Sequence, residues 1–125
     1  MANPRDVKQI PITWTSDKSQ PILVSDFRDV VLTIVGTGTA TVLGTTLVPK
    51  NATATPVDFT ASSTITNPYA AVVIADLTTA NTYATSLAVA GATKMGEVNT
   101  NLLTYICVTR SAGTLDAFIT VCDNQ

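Results

Sequence analysis

The chain has 125 residues, of which 46% are hydrophobic and 13% charged, with no histidine, two cysteines and a net charge of −2. This length corresponds to one domain. The acidic balance excludes a nucleic-acid-binding protein, which needs a basic surface to displace counterions from phosphates. Without histidine, serine and cysteine nucleophiles lack their usual activating base, and two cysteines do not complete a tetrahedral metal site. We therefore expect no enzyme, no catalytic residues, no cofactor and no metal.

The start of the chain does not resemble an export signal. Residues 1–6 carry charges and a proline where a secretory signal needs an uninterrupted apolar segment. The longest apolar run, residues 70–75, is far shorter than the ~20 residues of a membrane-spanning helix. We expect a protein made in a cytoplasm, where thiols stay reduced, with no membrane partner.

Prolines and charges are concentrated in residues 1–20, including Pro4 and Pro11. Because proline does not donate to a strand ladder, this composition predicts an extended N-terminal arm with an edge strand at residues 10–14. A disordered tail followed by the same edge strand is the alternative. Trp14 is expected in the core.

Runs of alternating β-branched residues predict strands at residues 22–24, 30–35 and 39–43. Between the last two runs, Gly36-Thr37-Gly38 predicts a turn that pairs them as a hairpin. In residues 30–35, the even-numbered side chains are expected to line one face and the odd-numbered ones the other, as in a strand whose second side is partly covered.

The middle of the chain is less regular. Residues 44–68 are rich in Thr, Ala, Ser and Pro, which predicts a long surface connection with one short strand at residues 57–60. Residues 70–75 are continuously hydrophobic and predict a central strand. Another strand is predicted at residues 85–89, with alternate side chains on opposite faces.

The last two apolar runs flank Ser111-Ala112-Gly113, which predicts a second hairpin. Placing Thr109 opposite Thr114 puts the apolar side chains of both strands on one face. In that register Cys107 and Cys122 lie about six ladder positions apart, roughly 20 Å, which is beyond the reach of a disulfide. Both thiols are therefore predicted to be free.

These elements predict an all-β fold. Turn signals roughly every ten residues separate about eight or nine strands, which is typical of a single antiparallel β-sandwich with a jelly-roll or related Greek-key topology. Residues 1–20 form the arm with its edge strand in this interpretation, and residues 21–125 form the sandwich domain.

The order of these elements resembles a known group. Val30–Val42, with its central Gly36-Thr37-Gly38, is followed by Thr66-Asn67-Pro68-Tyr69, by Val98-Asn99-Thr100-Asn101 and by Ala112-Gly113-Thr114-Leu115. Over residues 20–123 this pattern is similar to small β-sandwich structural proteins of tailed bacteriophages. The resemblance implies a capsid decoration or cement protein that binds the major capsid protein of the same virion. It also implies location on the capsid surface after assembly in a bacterial cytoplasm.

Composition alone selects the candidate contact residues, which are Pro4, Arg5, Val7, Lys8, Ile10, Lys50 and Asn51. Low charge density on a sheet protein also predicts a homo-oligomer, either a dimer or a trimer.

Two other functions remain open. One is another virion role, such as a head fibre base, tail or adaptor component. The other is a carbohydrate-binding or adhesive module, which needs an exposed aromatic platform. Its candidate aromatic residues are Trp14, Tyr69, Tyr83 and Tyr105.

Overall fold

The computed structural model describes residues 7–46, 69–79 and 81–123. Within these ranges the chain contains strands and no helix, every strand pairing is antiparallel, and hydrogen bonds join the strands into one connected sheet. The predicted all-β antiparallel class is confirmed, and the jelly-roll or Greek-key topology stays a prediction. The strands are β1 (Val7–Ile10), β2 (Trp14–Thr15), β3 (Lys18–Ser19), β4 (Ile22–Leu23), β5 (Phe27–Thr45), β6 (Ala70–Ala71), β7 (Ile74–Asp76), β8 (Tyr83–Ala84), β9 (Ser86–Val98), β10 (Tyr105–Arg110) and β11 (Leu115–Asp123).

The 19-residue strand β5 organises the sheet. One edge of β5 pairs with β9 from Val31 to Thr41. The other edge pairs first with β11 and then, from Ala40 onward, with β10. The order β8-β7-β9-β5-β11-β1 therefore makes one half of the sheet, and β5, β10 and the short strands β2, β3 and β4 make the other.

Glycines mark the junction between the two halves. Gly36 and Gly38 have φ of +113° and +148°, a region that L side chains rarely adopt. On the facing strand, Gly91 has φ of +64° and is the extra residue of a β-bulge, because Gly36 pairs with Ala92 while Thr37 pairs with Ala90. A bulge of this kind bends its strand and increases the local twist.

One hydrophobic core fills the space between the halves. Alternate residues of β5 are fully buried on both sides of the junction, from Val30 to Ile34 and again at Ala40 and Val42. They form one cluster with the buried side chains of β10 and β11, which are Ile106, Val108, Leu115, Ala117, Ile119 and Val121. The buried residues of β5 are even-numbered in both halves, so the same face of the strand is covered along its length. The sheet therefore folds around a single apolar interior.

The predicted hairpin turn at Gly36-Thr37-Gly38 is wrong. The two runs on either side of these residues form one continuous strand, β5. The positive φ values of Gly36 and Gly38 allow this strand to bend. A Gly-X-Gly sequence indicates only that the backbone adopts φ values that are unfavourable for residues with a side chain. Such φ values occur both in hairpin turns and in bent strands, so the sequence does not distinguish the two.

The predicted pairing of the last two strands is also wrong. β10 and β11 lie end to end along one edge of β5, since Thr109 pairs with Thr41 and Leu115 with Gly36. The linking residues are bonded to β5 instead: the Ser111 N–H donates to the Thr39 carbonyl at 2.9 Å, and the Thr114 hydroxyl donates to the Thr37 carbonyl at 2.8 Å. The predicted apolar face of each strand is nevertheless the buried one.

Smaller differences concern strand bounds. The predicted edge strand at 10–14 is replaced by β1, which begins at Val7, and by β2 at Trp14–Thr15. Residues 70–75 are not one central strand but the separate strands β6 and β7. The strand predicted at residues 85–89 continues to Val98 as β9.

Some predictions fall outside the described residues, namely most of the 44–68 connection and the strand at 57–60. Residues 7–19 join the sheet through β1, β2 and β3, and the division of the chain at residue 20 stays a prediction.

Both cysteines are free, as predicted. Cys107 is buried and Cys122 is half-buried. The Tyr69 hydroxyl lies against the Cys107 thiol, and burial is the main reason that the pKa values of both groups are raised.

Candidate interaction surfaces on the outer sheet face

The strands β8, β7, β9, β5, β11 and β1 present one broad face away from the core, here called the outer face. Residues directly opposite each other on neighbouring strands share a face of the sheet. The registers therefore place Tyr83, Ala75, Glu97, Val31 and Thr120 in one row across it.

The next row, here called the apolar row, consists of Leu77, Met95, Thr33 and Phe118. Thr33 pairs with Met95 on one side and with Phe118 on the other. The Leu77 N–H donates to the Met95 carbonyl at 2.9 Å, which brings Leu77 into the same row. Leu77, Met95 and Phe118 are 52%, 42% and 39% exposed. Leu77 and Met95 are neighbours in the row, and Phe118 lies beyond Thr33. Exposed apolar side chains grouped in this way on a sheet face are typical of an interaction surface.

Polar contacts hold the end of β7 beside this row. The Thr78 N–H and hydroxyl donate to Oδ1 of Asp76 at 2.8 and 2.6 Å, and Lys94 Nζ lies 3.3 Å from Oδ2. The Thr78 hydrogen bonds are the main reason that the pKa of Asp76 is lowered, with a smaller contribution from Lys94. The ionised carboxylate therefore fixes the chain next to Leu77.

One corner of the outer face carries a cleft of about 270 Å³, here called the polar cleft. Its lining combines an exposed aromatic ring with groups that donate and accept hydrogen bonds, and includes Arg28, Tyr83, Glu97, Asn99, Thr100 and Asn101. Tyr83 is 68% exposed. The cleft brings together the start of β5, the edge strand β8, the end of β9 and the loop that follows β9.

A second depression, of about 460 Å³, adjoins the polar cleft. Arg28, Thr100 and Asn101 line both, so the two depressions are neighbours. Leu102, which has a positive φ of 64° and is 91% exposed, lines the second depression.

Three of the predicted contact residues, Val7, Lys8 and Ile10, lie on β1 at the edge of the sheet. Val7 and Lys8 are exposed and Ile10 is half-buried against the core. β1 pairs along its whole length with β11, from Val7 opposite Cys122 to Ile10 opposite Ile119. The other four, Pro4, Arg5, Lys50 and Asn51, lie outside the described residues.

The four candidate aromatic residues differ in how exposed they are to solvent. Trp14 packs against the core and Tyr69 and Tyr105 are half-buried, whereas Tyr83 is exposed beside the polar cleft. Sequence reasoning did not select the apolar row or the other cleft residues. Their adjacency depends on pairings between distant strands, and the sequence carries no local signal for those pairings.

In the described part of the chain, no group of three or more Cys, Asp or Glu side chains is arranged to hold a metal ion. Residues 7–46, 69–79 and 81–123 also include no helix able to cross a membrane.

Comparison with known proteins shows a likeness of fold. No protein-family model and no curated protein match the chain. The structure is similar to the crystal structure of the SPBc2 prophage-derived protein YomS, with a TM-score of 0.66 over 98% of each chain. Because the two sequences are 11% identical, this likeness extends to the fold alone.

Proposed function

We propose that the chain is a bacteriophage virion structural protein of the capsid decoration or cement type, which attaches to the outside of the head through its outer face. The exposed apolar row carries this proposal, because it offers large apolar side chains on a sheet surface to a protein partner. The likeness of fold to a prophage-derived protein supports a phage origin.

A decoration protein strengthens a shell by adding contacts that bridge neighbouring capsid subunits. Separating the subunits must then also break the bridging contacts, so binding favours the intact shell. This role needs no chemical step. It needs a surface from which water is displaced when the partner binds. Leu77, Met95 and Phe118 provide apolar side chains for that contact.

The size of the outer face favours several copies acting together. Six strands at ~4.8 Å spacing span roughly 24 Å, and because β8, β7 and β1 have only two, three and four residues, the face covers at most about 500 Å². A stable interface uses about 800 Å² per partner. A dimer or trimer, which presents the face two or three times, turns a weak single contact into firm attachment.

Cosedimentation tests the proposal. The purified chain is mixed with shells assembled from the major capsid protein of the same genome, and its occupancy is measured after gradient centrifugation. We expect saturable binding that falls about tenfold or more for Phe118→Ser, since this substitution removes the largest apolar side chain of the row. Leu23→Ser is the matched control, because Leu23 is equally exposed (41%) on β4, away from the outer face.

The outcomes separate the alternatives. Full shell occupancy by a folded Phe118→Ser variant would refute docking through the outer face. Absence of shell binding by the unmodified chain, with binding to purified tails or head fibres instead, would replace the decoration role with another virion role.

A further inference from the structure

We propose that the polar cleft is a binding site for a short, uncharged oligosaccharide, with one sugar ring stacked on Tyr83 and the next unit extending past Arg28 into the second depression. This inference goes beyond the proposed virion role and does not depend on it. The juxtaposition of an exposed aromatic ring with a charge-balanced set of polar side chains carries the proposal.

The aromatic residue of the cleft, Tyr83, is largely exposed to solvent. Tyr83 lies on the edge strand β8 and leaves 68% of its surface in contact with water. A tyrosine ring at such a position has a flat apolar face and a polar hydroxyl group. This combination suits a partner that has one apolar side and one side that is hydrogen-bonded to water. The C–H face of a sugar ring is such a partner.

The polar residues that line the cleft beside Tyr83 supply hydrogen-bonding groups of both kinds. The Arg28 guanidinium offers only donors, the Glu97 carboxylate accepts, the Asn101 amide does both, and the Asn99 amide offers its two N–H donors while its oxygen accepts from the Asn101 N–H. Sugar hydroxyls both donate and accept, so neighbouring hydroxyls match planar groups of this kind. The Arg28 and Glu97 charges cancel, which favours a neutral ligand over a phosphate or a carboxylate.

Hydrogen bonds within the protein fix the backbone that carries Glu97, Asn99 and Asn101. Glu97 lies in the sheet between Ala75 and Val31. The Asn99 N–H donates to the Val73 carbonyl at 3.1 Å, and Asn99 Oδ1 accepts from the Asn101 N–H at 3.3 Å. Groups that are already ordered lose less conformational entropy when a ligand binds. This lower cost strengthens binding at a site that makes few contacts.

The dimensions suit a short oligosaccharide. The cleft volume of about 270 Å³ lies just below the ~300–1,000 Å³ typical of small-molecule pockets, which fits one sugar ring. The adjoining depression of about 460 Å³ shares Arg28, Thr100 and Asn101 with the cleft and leaves room for further units. Tyr83, Ala75 and Glu97 line the cleft from the row next to the apolar row, whereas Leu77, Met95 and Phe118 do not line it.

The test uses the full chain and a panel of neutral trisaccharides, namely maltotriose, cellotriose, mannotriose and triacetylchitotriose. Binding is measured by nuclear magnetic resonance titration of the backbone amides. We expect saturable shifts confined to β8 and to residues 99–101 of the loop that follows β9 for at least one sugar. Tyr83→Ala should weaken that binding about tenfold, the equivalent of an aromatic stacking contact, and Tyr83→Phe should retain it.

Phe118→Ser is the matched control, because it lies on the same face outside the cleft and should bind the sugar normally. Absence of saturable shifts with all four sugars would overturn the proposal, as would unchanged binding by a folded Tyr83→Ala variant. Binding of glycerol phosphate but none of the sugars would also overturn it. Shell binding by Tyr83→Ala reports separately on the virion role, so failure of one proposal does not imply failure of the other.

Discussion

Arg110 donates a hydrogen bond from Nε to Oδ1 of Asp17 at 2.9 Å, and its guanidinium lies 4.1 Å from the centre of the Trp14 ring. The same guanidinium donates from Nη1 to the Leu115 carbonyl at 3.0 Å. Asp17 belongs to the tight turn between β2 and β3, where it and Ser16 have φ of +62° and +51°. One side chain therefore ties this turn to β10 and to the start of β11.

Replacing Arg110 with lysine should destabilise the fold by about 2 kcal/mol, because an ammonium cannot keep both hydrogen bonds and the planar stack. Chemical denaturation measures the change. Arg28→Lys is the control, since Arg28 is exposed and its replacement should leave the free energy of unfolding within about 0.5 kcal/mol of the parent. Equal stability of the two variants would show that the Arg110 contacts are not structural.

Gly36→Ala should destabilise the protein by about 3 kcal/mol. A methyl group at this position would collide with the Thr114 carbonyl oxygen, and the φ of +113° is unfavourable for alanine. Gly113→Ala is the matched control, because a methyl group there meets nothing closer than 4.0 Å. Thermal unfolding compares the two variants, and similar melting temperatures would contradict the role assigned to Gly36 in bending β5.

The strands and their buried faces were predictable where local alternation is strong. Val30, Leu32 and Ile34 alternate with less buried residues, and the sequence alone identifies that face. The second half of β9 was missed because Ala90–Gly96 contains two glycines and few β-branched residues.

Strand partners could not be predicted because they depend on distant segments. The apolar patterns of β10 and β11 suit a hairpin as well as they suit pairing along β5, and only the packed fold distinguishes the two arrangements. The same reason applies to the candidate site. Tyr83, Glu97 and Arg28 belong to three strands, and the sequence placed only Tyr83 among the candidates.

The two cysteines should differ in reactivity. Burial raises the pKa of Cys107, and the thiolate is the reactive form, so iodoacetamide at about pH 8 should modify the half-buried Cys122 first. Mass spectrometry of the native protein should show one rapid modification, and the Cys122→Ser variant should show none until denaturant is added. Rapid labelling of Cys107 in the folded Cys122→Ser variant would contradict its burial.

The pH dependence of stability should include a contribution from Asp76. Its folded pKa lies below the ordinary value of 3.8, mainly because of the Thr78 hydrogen bonds, so the carboxylate stabilises the fold above the unfolded pKa. That contribution should be lost as the pH falls through the lowered pKa. We therefore expect Asp76→Asn to unfold more easily than the parent at about pH 7, and the difference to shrink below about pH 4. Denaturant titrations across this range test the expectation, with Thr78→Val as a second variant that returns the Asp76 pKa towards 3.8. A stability difference that stays constant down to the acid limit would show that the Asp76 charge does not hold the end of β7.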